Sequence, residues 1–148
     1  MKLLGFYAVV VLLMADGIGL LSTAAAQDDK ALEKFQGKWA TASISVDGKK
    51  EDEIKDRFLA IKGEKATFLY EGKETGKGSL VIDPSKSPAH IDFKYEDGPA
   101  KGKTLKGIFK FEGDTLTFCY GGFGKDRPSE FASKAGSDAI LIVQKRAK

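Results

Sequence analysis

One cysteine and one histidine bound what side-chain chemistry this chain of 148 residues can perform. Cys119 and His90 form its only thiol–imidazole pair, and a thiol needs a base or a cation beside it to react near neutral pH. Cys119 falls mid-strand between Phe118 and Tyr120, where a small thiol packs as an apolar group. No catalytic residue is therefore assigned, and the chain is read as a non-enzyme. A metal would need three or four convergent ligands. The carboxylates here are spread about one to a turn, without a His-x-x-x-His or Asp-x-Asp-x-Asp-Gly run. No metal and no cofactor is expected.

Gly98-Pro99-Ala100-Lys101-Gly102-Lys103-Thr104 imitates a phosphate-binding loop but has one residue too few between its first Gly and the Gly-Lys pair. A phosphate loop also feeds a helix whose N–H groups hold the anion. Here Leu105–Phe111 alternates like a strand, so the segment reads as a basic hairpin loop. Lysines at Lys49, Lys50, Lys101, Lys103 and Lys125 are interleaved with Asp and Glu, the pattern of a solvated surface. Lys and Arg total 24 against 21 Asp and Glu, and only Arg57, Arg127 and Arg146 are arginines. Nucleic-acid binders favour Arg for phosphates and base edges, so nucleic acid is not an expected partner.

The elements that position these residues begin after a leader. Met1-Lys2 is followed by an apolar run to Met14, and Ala24-Ala25-Ala26 supplies an A-x-A cleavage site before Gln27. This is the order of a secretory signal peptide over residues 1–26, removed to leave a domain of residues 27–148. Asp16 interrupts the apolar run, which is short for a membrane span. Export to the periplasm or the extracellular space is expected, with no stable membrane insertion after cleavage; retention as an uncleaved anchor is the alternative. With a single Cys no internal disulfide can form, and with no Asn there is no N-glycosylation site.

Past the leader, Asp28 or Asp29 can cap a short helix that Gly37 ends. The pattern then changes to period two, which predicts eight strands: Lys38–Val46, Phe58–Lys62, Ala66–Glu71, Gly78–Ile82, Ala89–Glu96, Thr104–Glu112, Thr115–Tyr120 and Ala139–Lys145. Glu51–Lys55 is read as one helical turn between the first two. Asp47-Gly48, Gly63-Glu64, Asp83-Pro84, Asp97-Gly98-Pro99 and Gly113-Asp114 supply turns. The stretch from Gly63 to Gly72 echoes that from Gly113 to Gly122, one hairpin geometry used twice. Gly121–Asp138, rich in Gly, Ser and Lys, is the longest connection and the expected mobile segment.

Sequential short strands joined by tight turns make an antiparallel meander, and eight of them can close and so hide their edges. The expected fold is all-β: an eight-stranded up-and-down barrel preceded by a short helix. Alternation puts Ile91, Phe93 and Tyr95 on one face, and Leu105, Gly107, Phe109 and Phe111 on another. Gly37 lets the helix turn into strand one, whose Trp39 plugs the closed end. Lys145 or Arg146 from the last strand is placed to lie across the indole. Arg127 is expected to pin the long loop to a carboxylate or carbonyl, with Phe131 inserting as its anchor.

Phe35-Gln36-Gly37-Lys38-Trp39, Asp47-Gly48-Lys49, Asp83-Pro84, Pro88-Ala89-His90-Ile91-Asp92, Gly113-Asp114-Thr115-Leu116 and Arg127-Pro128-Ser129-Glu130-Phe131 together resemble a family of small exported lipocalin-like domains. That family is abundant in planctomycete bacteria. The resemblance covers about Leu32 to Lys145, and it implies the barrel fold and the export route but no activity. The second lipocalin motif, T-D-Y, is absent at Gly113-Asp114-Thr115, so no lipocalin ligand is carried over.

An eight-stranded barrel is either filled by side chains or just wide enough for one small ligand. Of ten Phe, four Tyr and one Trp, only Phe6 and Tyr7 leave with the leader. Phe68, Tyr70, Phe93, Tyr95, Phe109, Phe118 and Tyr120 would line the interior. The leading expectation is a monomeric, non-catalytic binding module for a small apolar or amphipathic ligand. The alternative is a filled barrel that acts as a structural domain or meets a protein or polysaccharide.

Overall fold

A computed structural model describes residues 29–148. The leader and its cleavage site lie outside the described residues. The first described element is a helix over residues 29–35 that ends on the fully buried Phe35. Gly37 then takes φ +111°, a backbone shape costly for any residue with a Cβ, and the chain enters β1.

Nine strands follow: β1 Gly37–Val46, β2 Lys49–Glu51, β3 Arg57–Lys62, β4 Lys65–Tyr70, β5 Lys73–Asp83, β6 Ala89–Tyr95, β7 Thr104–Glu112, β8 Thr115–Tyr120 and β9 Ile140–Arg146. From β3 to β9 each strand pairs antiparallel with the next, β3 pairs with β1, and β9 returns to pair with β1. Eight strands therefore close a barrel, and β2 is an additional strand on β1. The two echoing segments form matching hairpins, with Gly63 and Gly113 each at φ +60° as the first of two turn residues. That is the glycine position of a type II′ turn, whose twist suits a tight hairpin.

The structure departs from the sequence reading at two strands. The helical turn expected over Glu51–Lys55 is not formed. Asp47 and Gly48 both adopt positive φ and fold the chain straight back, so Lys49–Glu51 pairs with Val46–Ile44. Strand β5 starts at Lys73 rather than Gly78. Its first half alternates nothing apolar, and a bulge sets Phe68 opposite Gly76 but Leu69 opposite Glu74.

Two apolar clusters result, one on each side of the wall. Inside lie Trp39, Leu59, Ile61, Ala66, Leu80, Ile91, Phe93, Leu105, Phe109, Leu116, Phe118 and Tyr120, with Phe35 from the helix. The second cluster joins Ile108 and Cys119 to Ala139, with Phe131 and Leu141 packed against them, under the connection 121–138. Strand β1 contributes Trp39 to the inner cluster. Opposite β9 its register shifts between Thr41 and Ser43, and a bulge exchanges the two faces of a strand. Trp39 and Thr41 therefore face inward before the bulge and Ile44 after it. Ser43 and Ser45 are turned outward, and both are buried.

The connection expected to be mobile is fastened along its length. Arg127 binds strands β6 and β7, Lys110 sits over the Phe131 ring at 4.7 Å, and the Gly136 N–H donates to the Asp47 carboxylate at 2.5 Å. The Cys119 thiol donates to the Ala132 carbonyl at 3.5 Å. Gly98–Lys103 is a hairpin loop, as its composition implied: Tyr95 N–H donates to the Lys103 carbonyl and Gly102 N–H to the Tyr95 carbonyl.

Candidate functional site

The barrel interior divides into a packed half and a hollow half. At the packed end Phe35 meets Phe109 and Phe111 edge-on, both with ring centroids 4.9 Å away, and lies parallel to Phe118 at 6.3 Å. Such edge and offset contacts are favoured by the ring quadrupole. Trp39 is fully buried beneath them and donates its indole N–H to the Phe35 carbonyl at 2.8 Å. The Arg146 guanidinium covers the indole, 4.2 Å from its centroid, and donates to the Gln36 and Lys34 carbonyls, both at 2.9 Å. The end of the helix is thus capped by the last strand, and Arg146 rather than Lys145 is the residue that stacks.

Toward the opposite end the side chains leave a cavity of about 120 Å³. Phe93, Leu80, Leu105 and Phe118 form its apolar wall, with Tyr95 and Tyr120 at its outer side. Burial pushes the Tyr95 phenol above its usual range, and the more deeply buried Tyr120 further still, with Tyr95 and Asp92 adding to the effect. Both rings therefore stay neutral at physiological pH and keep a proton to donate. Gly107 makes room for this arrangement: a Cβ there would lie 2.6 Å from the Tyr120 ring.

A second, open cleft of about 370 Å³ adjoins the cavity between β1 and the β3–β4–β5 edge. Phe68, Ile142 and Gln144 belong to the walls of both and make up the neck, the short stretch of side chains that separates them. The cleft adds Thr41, Ile44, Phe58, Leu69 and Thr75, with Arg57 and Tyr70 at its rim. The Arg57 guanidinium stands over the Tyr70 ring, 5.5 Å from its centroid. Gln144 is only 3% exposed, and its side-chain carbonyl accepts the Thr41 hydroxyl at 3.1 Å.

The residues selected from sequence are distributed unevenly over this geometry. Phe68, Phe93, Tyr95, Phe118 and Tyr120 surround the inner cavity. Tyr70 does not: it keeps the parity of Phe68 but is the last residue of β4, where it lines the open cleft and is 43% exposed. Phe109 does not either, because it is committed to Phe35 at the packed end. Gly37 and Trp39 hold the closed end. Arg127 reaches the Asp92 carboxylate and the Gly107 carbonyl at 2.7 Å and the Ile91 carbonyl at 3.2 Å, and Phe131 inserts under the loop. Sequence reasoning missed Gln144, Thr41 and Arg57. For Gln144 a signal was present: in Ile140-Leu141-Ile142-Val143-Gln144 the amide falls on the inward parity of an otherwise apolar strand.

Among the described residues, no three or more His, Cys, Asp or Glu side chains converge as a metal site, and no helix is long and apolar enough to cross a membrane. Comparison of the chain with family models, with curated proteins and with solved structures finds no match.

Proposed function

We propose that this protein is an exported, non-catalytic binding module of lipocalin-like type that holds one small apolar or amphipathic ligand in the hollow half of its barrel. The observation that supports this reading is the adjoining pair of spaces. An apolar cavity of about 120 Å³ is separated only by the Phe68, Ile142 and Gln144 side chains from a cleft that reaches solvent. Pockets for small molecules are concave, mostly apolar and furnished with a few placed polar groups, as this one is. Packing at the helix end keeps the scaffold rigid, so the cavity is formed before a ligand arrives. The export part of the proposal rests on the leader sequence.

The test is native mass spectrometry of the protein from its own secretory compartment, purified without lipid-stripping steps, beside an Ala66→Leu variant. Ala66 is fully buried in the cavity wall, so the larger side chain fills the space from within. A reproducible non-covalent adduct on the wild type that Ala66→Leu lacks supports the reading. Clean masses for both, with no uptake of an apolar fluorescent probe, overturn it and favour an interaction domain. That domain would use the exposed Val46, Tyr70 and Phe123 side chains.

A further inference from the structure

Resting on that reading, we infer that the ligand is a short monocarboxylate, seated with its apolar chain in the inner cavity and its carboxylate in the cleft between Gln144 and Arg57. Gln144 carries the first part of the argument. Among the described residues no fully buried side-chain N or O lacks a hydrogen-bond partner, so an amide nitrogen of Gln144 without one must open onto a cavity. The Gln144 carbonyl is used by Thr41, but among the described residues no acceptor lies within hydrogen-bonding distance of its Nε2 group. Those N–H donors belong to the wall of both spaces, at the neck where a ligand must pass. They are available to an acceptor on the ligand.

Arg57 carries the second part. Arg127 has Asp92 as its ion-pair partner and Arg146 has Asp114, at 2.7 Å and 3.9 Å. Arg57 has no carboxylate within ion-pair distance among the described residues, although Asp56 and Glu71 are close by in the strand pairing. Its guanidinium faces the cleft over Tyr70 instead, leaving N–H groups for an anion, and a planar carboxylate matches the fork of an arginine. The inner cavity sets the other end of the molecule. A cavity of about 150 Å³ holds benzene, so 120 Å³ admits a smaller apolar group, of about five carbons.

The experiment is isothermal titration of the mature protein with straight-chain monocarboxylates of four to twelve carbons and with the matching primary alcohols. We expect each acid to bind about tenfold or more tightly than its alcohol, the worth of a charge-assisted hydrogen bond. Affinity should rise about fourfold per methylene. It should level off near eight carbons, once the cavity and neck are full. Arg57→Gln and Gln144→Met should each shrink the preference for acid over alcohol while alcohol binding persists. Arg57 is exposed, so its variant keeps the fold and isolates the head group. Equal binding of acids and alcohols, or a preference untouched in Arg57→Gln, overturns the carboxylate assignment and leaves the cavity reading standing. Binding of neither series overturns both.

Discussion

Replacing Arg127 by Ala should release the loop 121–138 without unfolding the barrel. One nitrogen of its guanidinium carries all three contacts, to the Asp92 carboxylate, the Gly107 carbonyl and, more distantly, the Ile91 carbonyl. That nitrogen has two protons, so two strong bonds and one shared one are lost. A hydrogen bond to a charged group is worth about 1.5–3 kcal/mol net, and the pair is partly open to water, so about 2–3 kcal/mol of loop closure should go. The reporter is built in. Cys119 is fully buried, its thiol donates to the Ala132 carbonyl of the loop, and burial raises its pKa. A disulfide reagent therefore reacts only through the open loop, and its rate follows the opening equilibrium when reclosure is fast. About 2–3 kcal/mol predicts labelling roughly 30–150-fold faster in Arg127→Ala, with little dependence on low urea concentrations because the opening is local. Arg127→Lys should fall between, since an ammonium can keep Asp92 but not the two-carbonyl geometry. Labelling within about twofold of the wild type would refute the assignment of Arg127 as the clasp. A rate that tracks global unfolding would refute local opening.

Three further outcomes are expected. Phe109→Ala should cost about 3–5 kcal/mol in urea denaturation without changing ligand binding, because Phe109 belongs to the packed end; a small cost with lost binding would place the cavity wrongly. Arg146→Lys should cost about 2 kcal/mol and alter Trp39 fluorescence, because two carbonyl bonds and the stacked guanidinium go together. An unchanged emission spectrum and midpoint would count against it. The last concerns alkaline pH. Tyr120 is held above its ordinary value of 10.0 in the folded state, so both states keep the phenol proton below pH 10. Above that the unfolded chain ionises first, and stability should fall by up to about 1.4 kcal/mol per pH unit. Cys119 adds the same sign from its ordinary value of 9.0. Tyr120→Phe should flatten the decline; an identical pH profile would refute burial as its cause.

Most of the barrel was legible because its signals are local. Gly-Glu and Gly-Asp turns, inward Ile91-Phe93-Tyr95 and the Gly37–Trp39 junction each depend on a few neighbouring residues. The hidden parts depend on partners far along the chain. Strand β2 is three charged residues with no buried side, visible only through its pairing to Ile44–Val46. The start of β5 has no apolar alternation to read. The bulge at Thr41–Ser43 breaks parity, so Ser43 and Ser45 were not recognisable as facing outward, and Tyr70 shares the parity of Phe68 but sits where the strand ends at the rim. The same distance effect explains the outer cluster. Ile108 and Cys119 sit on what a lone barrel would show to water, and only the returning loop makes them core.

The ladder between β1 and β3 ends at Ala40, and the one between β1 and β2 begins at Ile44. For three residues the barrel wall is therefore held from the β9 side alone. Backbone there can part from β3 without breaking a cross-strand bond, while the rest of the cylinder stays laced. In amide hydrogen exchange this interval should turn over before the strands on either side of it. The gap coincides with Thr41 beside the Gln144 neck, so on the proposed reading the stretch of wall with the fewest cross-strand bonds lies where a ligand would enter. On that reading entry needs no hinged lid: the doorway is a short length of seam that was never sewn.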